Sequence, residues 1–340
     1  MRFACPSVAP GLPNRKMQTA RTLLCAILAA AASTAALAQD WPTRPVTLVV
    51  PFAAGGPVDT AARIMAARLS ENLGQQVVVE NVGGAGGMIG ANRVAKAAPD
   101  GYTFLHGNRS THVYSQILSK KPLYDAVNDF APVAAFVENS MILLARKDFP
   151  ARRLEDFTAH VRANQGKLQF ASAGAGSASH VVCILLNGAI GVDVAHIPYR
   201  GTAPALQDLI AGRVDYLCDI ISTAIPPIQA GTVKPLAILS SRRSAALPEL
   251  ATADEQGLKN FDVDAWNALF FPKGTPDAIV QRLARATSEV VDIPAVAKRL
   301  QEIGLSIAAR ERRNPGYVAK LVKSDLATWR APLLASGAAQ

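Results

Sequence analysis

Apolar and polar positions along this chain alternate in blocks rather than residue by residue. VTLVV at 46–50, VVVEN at 77–81 and YTFL at 102–105 have strand length, and the first is so nearly continuous in apolar residues that it suggests a strand covered on both faces. Between them, apolar residues recur three and four apart: Val58, Ala61, Ile64, Met65 and Leu69 after the first run, and a shorter helix over 89–97 after the second. That spacing predicts amphipathic helices, and the alternation predicts an α/β fold with a parallel sheet. It resumes with a helix at 154–163, a strand at 168–171, a helix at 180–187, a strand at 194–198, a helix opening at Ala203 and strands at 214–218 and 234–240. One more strand is expected at 267–272, then helices at 276–290, 295–302 and 315–330, the last with Val318, Leu321, Val322, Leu326 and Trp329 as its packing face.

Two departures from this rhythm carry the functional reading. Residues 130–138 and 141–146 are adjoining apolar runs with no helix between them, so the chain can leave one sheet there and enter another. A return near 238 gives two domains, 41–140 plus 238–340 and 141–237, joined by a two-segment hinge. The other departure lies at strand ends. After Val50 come Ala53-Ala54-Gly55-Gly56, then Pro57 and Asp59, which suit the first turn of a helix. Such a turn aims backbone N–H groups and the positive end of a helix at one spot, which favours an anion; a tight strand-to-helix connection with no ligand is the alternative. Ser172 to Ser179 repeats the arrangement, and His106 to Thr111 is a polar turn with Ser or Thr as helix cap. Neither the Gly-Lys-Ser/Thr phosphate loop nor the Gly-x-Gly-x-x-Gly fingerprint occurs, which argues against a nucleotide site.

Composition and charge narrow the picture. Residues 1–38 hold Arg2, Arg15, Lys16 and Arg21, no acid, an apolar run from Thr22 to Leu37 and the small-residue end Ala36-Leu37-Ala38. This reads as a secretory signal peptide cut after Ala38, with Met17 an alternative start. Its removal lowers the net charge from +9 to +5, since it holds four of the 35 Lys and Arg and none of the 26 Asp and Glu. A mild positive field suits small anions, and without a dense basic stripe nucleic acid is not an expected partner. Cys183 and Cys218 remain in the exported chain; an oxidising compartment permits a bridge, but both sit in apolar runs and buried free thiols are the expectation. The five His are scattered and no metal-ligand spacing occurs, so neither a metal nor a cofactor is expected.

Taken together, the leader, VTLVVPFAAGGPVDTAAR, VVVENVGGAGG, KAAPDGYT, FASAGAGSASH, HIPYRGTAPALQDLIAGRVD and PKGTPDAIV resemble the Bug family of periplasmic substrate-binding proteins that serve tripartite tricarboxylate transporters. The resemblance runs from about Trp41 to near the C-terminus. It implies a two-domain clamshell of the type II periplasmic-binding-protein kind, each domain a mostly parallel sheet flanked by helices, acting as a monomer in the periplasm and passing a small carboxylate to membrane permease subunits. Di- and tricarboxylates, acidic amino acids and aromatic acids all fit that description. Carried over residue by residue, one jaw is Phe52, Ala53, Ala54, Gly55 and Gly56 with Asp59 behind. The opposite jaw is Ser172, Ala173 and Gly174 with Ser179 and His180. Gly107 and Asn108, Tyr199, Gly201, Thr202 and Ala203, and Asp219 complete the cleft.

Several residues keep two readings. Arg109 either pairs a second carboxylate or is a solvated loop arginine, the second being preferred, and Arg200 has the same pair of readings. Asp219 is either a ligand acceptor or a structural acid at a strand end, and Ser222 after it is read as a cap of the short helix that follows. Ser179 beside His180 is read as a helix cap and a packed ring rather than a nucleophile and its base, since adjacent helical residues point apart. A serine hydrolase is the rival class, weakened because Phe170-Ala171-Ser172-Ala173-Gly174 lacks the first glycine of the nucleophile elbow. A ligand sensor signalling to a membrane receptor is the other alternative.

Overall fold

The computed structural model describes residues 41–336; the expected signal peptide, its cut after Ala38 and the alternative start at Met17 lie outside them. β1 (Val46–Val50) leads through the Gly-rich turn into α1 (Pro57–Leu73), which has proline in its first turn and Gly74 in the left-handed conformation at its end. β2 (Val77–Asn81), α2 (Met88–Ala95) and β3 (Thr103–Asn108) follow. A π-helical turn at Ser110–Tyr114 then runs into α3 (Ser115–Leu118). β4 (Phe130–Arg146) is a single strand of 17 residues. After it come α4 (Leu154–Asn164), β5 (Gln169–Ser172), α5 (Ala178–Ala189), β6 (Ala195–Pro198), α6 (Thr202–Ile210), β7 (Tyr216–Ile220), α7 (Ile221–Gln229) and β8 (Val233–Ile238). β9 (Asp264–Pro272), α8 (Asp277–Asp292), α9 (Pro294–Glu302), β10 (Leu305–Ile307) and α10 (Pro315–Ala335) complete the described chain.

The strands form one mixed sheet in the order β2-β1-β3-β9-β4-β7-β5-β6, with β8 and β10 also paired to β4. β1 pairs parallel to β2 and β3, and β5 parallel to β6 and β7. Every pairing of β4, and that of β3 with β9, is antiparallel. The expectation of mostly parallel sheets is thus corrected to parallel outer strands around an antiparallel centre. The cause is the helix-free passage seen in the sequence: the two apolar runs are one strand, whose first half pairs β9 and β10 and whose second half pairs β7 and β8. Side chains of that second half alternate between two cores. Met141, Leu143 and Ala145 enter one; Ile142 and Leu144 enter the other with Leu209, Leu217 and Ile221. A strand covered on both faces has no polar face to show, which is why the run is continuously apolar.

Three local expectations change. β3 continues through His106, Gly107 and Asn108, because those residues pair with β9 from Leu269 to Asn267, so the turn begins only at Arg109. Ser222 does not cap α7: the cap position is Ile220, and the Ser222 hydroxyl is buried without a partner. Cys183 and Cys218 form a disulfide rather than free thiols, since α5 lies on β7 with the two Cα atoms 5.4 Å apart. The bridge joins the helix and the strand that both end at the site described next.

Candidate functional site

The turns that follow β1, β2 and β3 face those that follow β5 and β6, all at the carboxyl ends of the parallel strands, where α/β sheets place ligands. Their contact is close. A Cβ on Gly201 would lie 2.7 Å from the Cβ and 2.8 Å from the N of Ala53, and one on Gly83 2.7 Å from the Arg200 carbonyl. Gly86 abuts the Ala175 carbonyl at φ +62, a conformation and an approach that only glycine tolerates. Ser110 Oγ, beyond β3, accepts from the Ala178 N–H at the start of α5 at 2.8 Å.

A narrow cavity lies beneath these contacts. Of the expected residues, Phe52, Asn108, Ala173, Ser179, Thr202 and Asp219 line it. The others stand around it. Ala54 and Gly55 are exposed on the turn, and Gly55 faces Ala203. Gly56 is the cap residue of α1. Asp59 points back into its own jaw, accepting from Gly55 N–H (2.9 Å), Arg63 Nε (2.9 Å) and Asn81 Nδ2 (2.9 Å). Burial opposes its charge, yet those three donors hold its carboxyl below the usual range. Gly107 packs on His112 and Phe270, and the Tyr199 hydroxyl donates to Asp208 at 2.6 Å.

The Ser172–Ser179 turn has satisfied much of its own backbone. Ala173 N–H donates to Ser179 Oγ (2.8 Å), Gly174 N–H to Ser172 Oγ (3.0 Å) and Gly176 N–H to His180 Nδ1 (3.2 Å). Those amides are engaged, and this turn lines the cavity with Ala173, Ser177, Ala178 and Ser179, the two serine hydroxyls lying 3.1 Å apart. Ser177, not Ser179, caps α5, accepting from His180 N–H. His180 is the packed ring expected of it: it lies against His196 with centroids 4.2 Å apart, and burial plus that neighbour depresses it to about 3. Ser172 Oγ lies 2.6 Å from His196 Nε2. This resembles a nucleophile and base, but Ser172 is fully buried and closed off from any substrate in this conformation.

The preferred reading of Arg109 as a solvated loop residue is overturned. Its side chain is 14% exposed, lines the cavity and donates from Nε to Asp325 Oδ2 at 2.8 Å. Asp325 also accepts from Trp266 Nε1 at 2.8 Å, so the arginine charge is matched inside the fold. Arg200 is exposed. Sequence reasoning missed two buried residues on this cavity, Asn139 and Asn267; the available signal was an amide inside an otherwise apolar strand, as in AWNALFFP.

Asp219 sits 1% exposed at the cavity wall, accepting from Ile220 N–H (2.7 Å) and Thr223 Oγ1 (2.8 Å). Burial lifts its carboxyl to about 7, against the pull of those two donors. Below the ordinary value of 3.8 both folded and unfolded chains hold the proton; between there and about 7 only the folded chain does, so stability falls as pH rises through that window. Asp219→Asn is therefore expected to gain on the order of 4 kcal/mol relative to wild type as pH rises from about 4 to about 8. Urea unfolding across pH checks this, and superimposable pH profiles would refute it.

The family profile described as "Tripartite tricarboxylate transporter family receptor" matches residues 61–335. A "UPF0065 protein in tcbD-tcbE intergenic region" from Pseudomonas sp. (strain P51) is 38% identical over 314 residues, 91% of this chain and 92% of that protein. Among solved structures, "Structure of periplasmic binding protein BugD" superposes with a TM-score of 0.85 at 38% identity, covering 88% of this chain and 99% of that one. "MatC (Rpa3494) from Rhodopseudomonas palustris with bound malate" gives a TM-score of 0.84 at 43% identity, covering 86% and 100%.

Proposed function

Because this chain belongs to the tripartite tricarboxylate transporter receptor family, whose solved relatives are periplasmic binding proteins, we propose that it captures a small carboxylate between two lobes and hands it to a membrane permease. The lobes are 41–140 plus 238–340 and 141–237, with the chain crossing along β4 and again near 238. Family membership implies a periplasmic location, and a leader cut after Ala38 would deliver the chain there. One observation carries the reading: five turns from two groups of strands meet over one narrow cavity lined by Ser, Thr and Asn residues, in a fold shared at 43% identity with a protein holding malate. A site of this kind traps an anion by closing on it. The expected ligand contacts are Phe52, Asn108, Ser179, Thr202 and Asp219, with the Ala53–Gly56 turn supplying backbone donors.

About four or five hydrogen bonds to a charged group, each contributing roughly 1.5–3 kcal/mol, exceed the roughly 8 kcal/mol of micromolar binding and leave a surplus for closure. A thermal-shift screen of the exported chain against carboxylates is the direct test. An acid at a hundred times its dissociation constant is expected to add about 2.7 kcal/mol of stability. Shifts with neutral sugars and none with any acid would overturn the proposal.

A further inference from the structure

Three asparagines lie in a row across the strands that floor the cavity. Asn108 on β3 stands opposite Asn267 on β9, while Asn139 on β4 stands opposite Ala265. Residues two apart share a strand face, so Asn139 is the diagonal neighbour of Asn267 on the face that carries the cavity. All three are buried, at 6%, 1% and 4% exposure respectively for Asn108, Asn267 and Asn139, and all line the cavity. Their amides are differently placed. Asn108 Oδ1 accepts from Thr111 N–H at 3.2 Å. Asn267 Oδ1 is 2.9 Å from His106 Nε2, which leaves Nδ2 as an unpartnered donor. Asn139 Oδ1 is an unpartnered acceptor. Neighbouring side chains thus leave one buried donor and one buried acceptor unmet at the cavity floor, a costly arrangement unless the occupant meets both.

We propose that Asn267 and Asn139 together read a hydroxyl group on the ligand, which accepts from Asn267 Nδ2 and donates to Asn139 Oδ1, so that this protein selects hydroxy acids over the acids that lack the hydroxyl. The inference rests on the carboxylate reading of the site and adds its specificity. One O–H satisfies both orphaned atoms at once, whereas a methylene satisfies neither. A second carboxylate at this spot has only acceptors to offer Asn139. Among the described residues the lining cation, Arg109, is already matched by Asp325, so its charge does not call for another anionic group. Sites built to bond a hydroxyl discriminate strongly against analogues without it, because the empty partners stay buried.

Calorimetric titration with matched pairs, malate against succinate and 3-hydroxybutyrate against butyrate, tests this. Wild type is expected to bind the hydroxylated member of at least one pair at least about 10-fold more tightly, from one or two buried hydrogen bonds. Asn139→Ala and Asn267→Ala are each expected to erase that preference, bringing the two members of the pair within about threefold of one another. Asn139→Ala disturbs no hydrogen bond of its Oδ1 and decides the matter alone if Asn267→Ala, which orphans His106, fails to fold. Equal affinities within both pairs in wild type, or a preference that survives Asn139→Ala, would overturn the hydroxyl reading while leaving carboxylate capture standing. Failure of every acid to bind wild type would bring down both.

Discussion

Replacing Gly201 by valine is expected to weaken carboxylate binding by about 100-fold or more, a loss of about 2.7 kcal/mol, while the ligand-free protein unfolds much as wild type does. Gly201 has φ 163 and ψ 171, extended backbone that any residue adopts, so the substitution brings no local strain. What it brings is bulk: even the first carbon falls 2.7 Å from the Ala53 Cβ and 2.8 Å from its backbone N, closer than packed atoms come. Ala53 follows β1 and Gly201 follows β6, which belong to opposite ends of the sheet order. The overlap is therefore relieved by parting the two turns rather than by repacking a core. Opening admits water to the cavity and separates the groups on its two sides, so a ligand keeps the contacts of one jaw only. Calorimetry on Gly201→Val should show the loss, and Gly188→Ala, where a Cβ meets nothing within 4 Å, should not. Wild-type affinity in Gly201→Val would mean that the bound state does not bring these turns together.

The same geometry explains how much could be read beforehand. Strand β1 stands out in the sequence because both of its faces are covered, which writes an unbroken apolar block, whereas β2 lies at the sheet edge with Val78 42% exposed; the turns after β1 and β5 stand out because close approach strips them to Ala, Gly and Ser. The antiparallel centre was hidden, since a 17-residue strand that changes partners midway looks like two short runs. Asn139 and Asn267 were hidden for another reason: an asparagine in a strand looks alike whether it faces water or a cavity, and only the register puts these two side by side. The disulfide depended in the same way on how α5 settles on β7. Asp325 was nearer to legible. It lies three residues after Val322 and four before Trp329 on the apolar face of α10, and a charge in that stripe asks for a buried partner.

That partner makes Asp325 the position at which one atom-level change should cost the most stability. Its Oδ2 accepts both from Arg109 Nε and from Trp266 Nε1, each at 2.8 Å. Arg109 also bonds the Asp264 carbonyl and lies over the Trp329 ring, 5.4 Å from its centroid. Arg109 and Asp325 are 216 residues apart, so the pair fastens the last helix to the cavity rim. Asp325→Ala leaves a guanidinium and an indole N–H together without their acceptor. Breaking a buried pair from one side costs roughly 3–5 kcal/mol, and an orphaned buried donor roughly 1–3 more. Asp325→Asn retains one acceptor oxygen and should lose less. Arg109→Met combined with Asp325→Leu should recover a large part of the loss, because no charge is then left buried, although the Trp266 N–H remains unpaired. Urea unfolding of the four proteins separates the possibilities. If the double variant is no more stable than Asp325→Ala, the cost lies in packing along α10 and not in the stranded arginine charge.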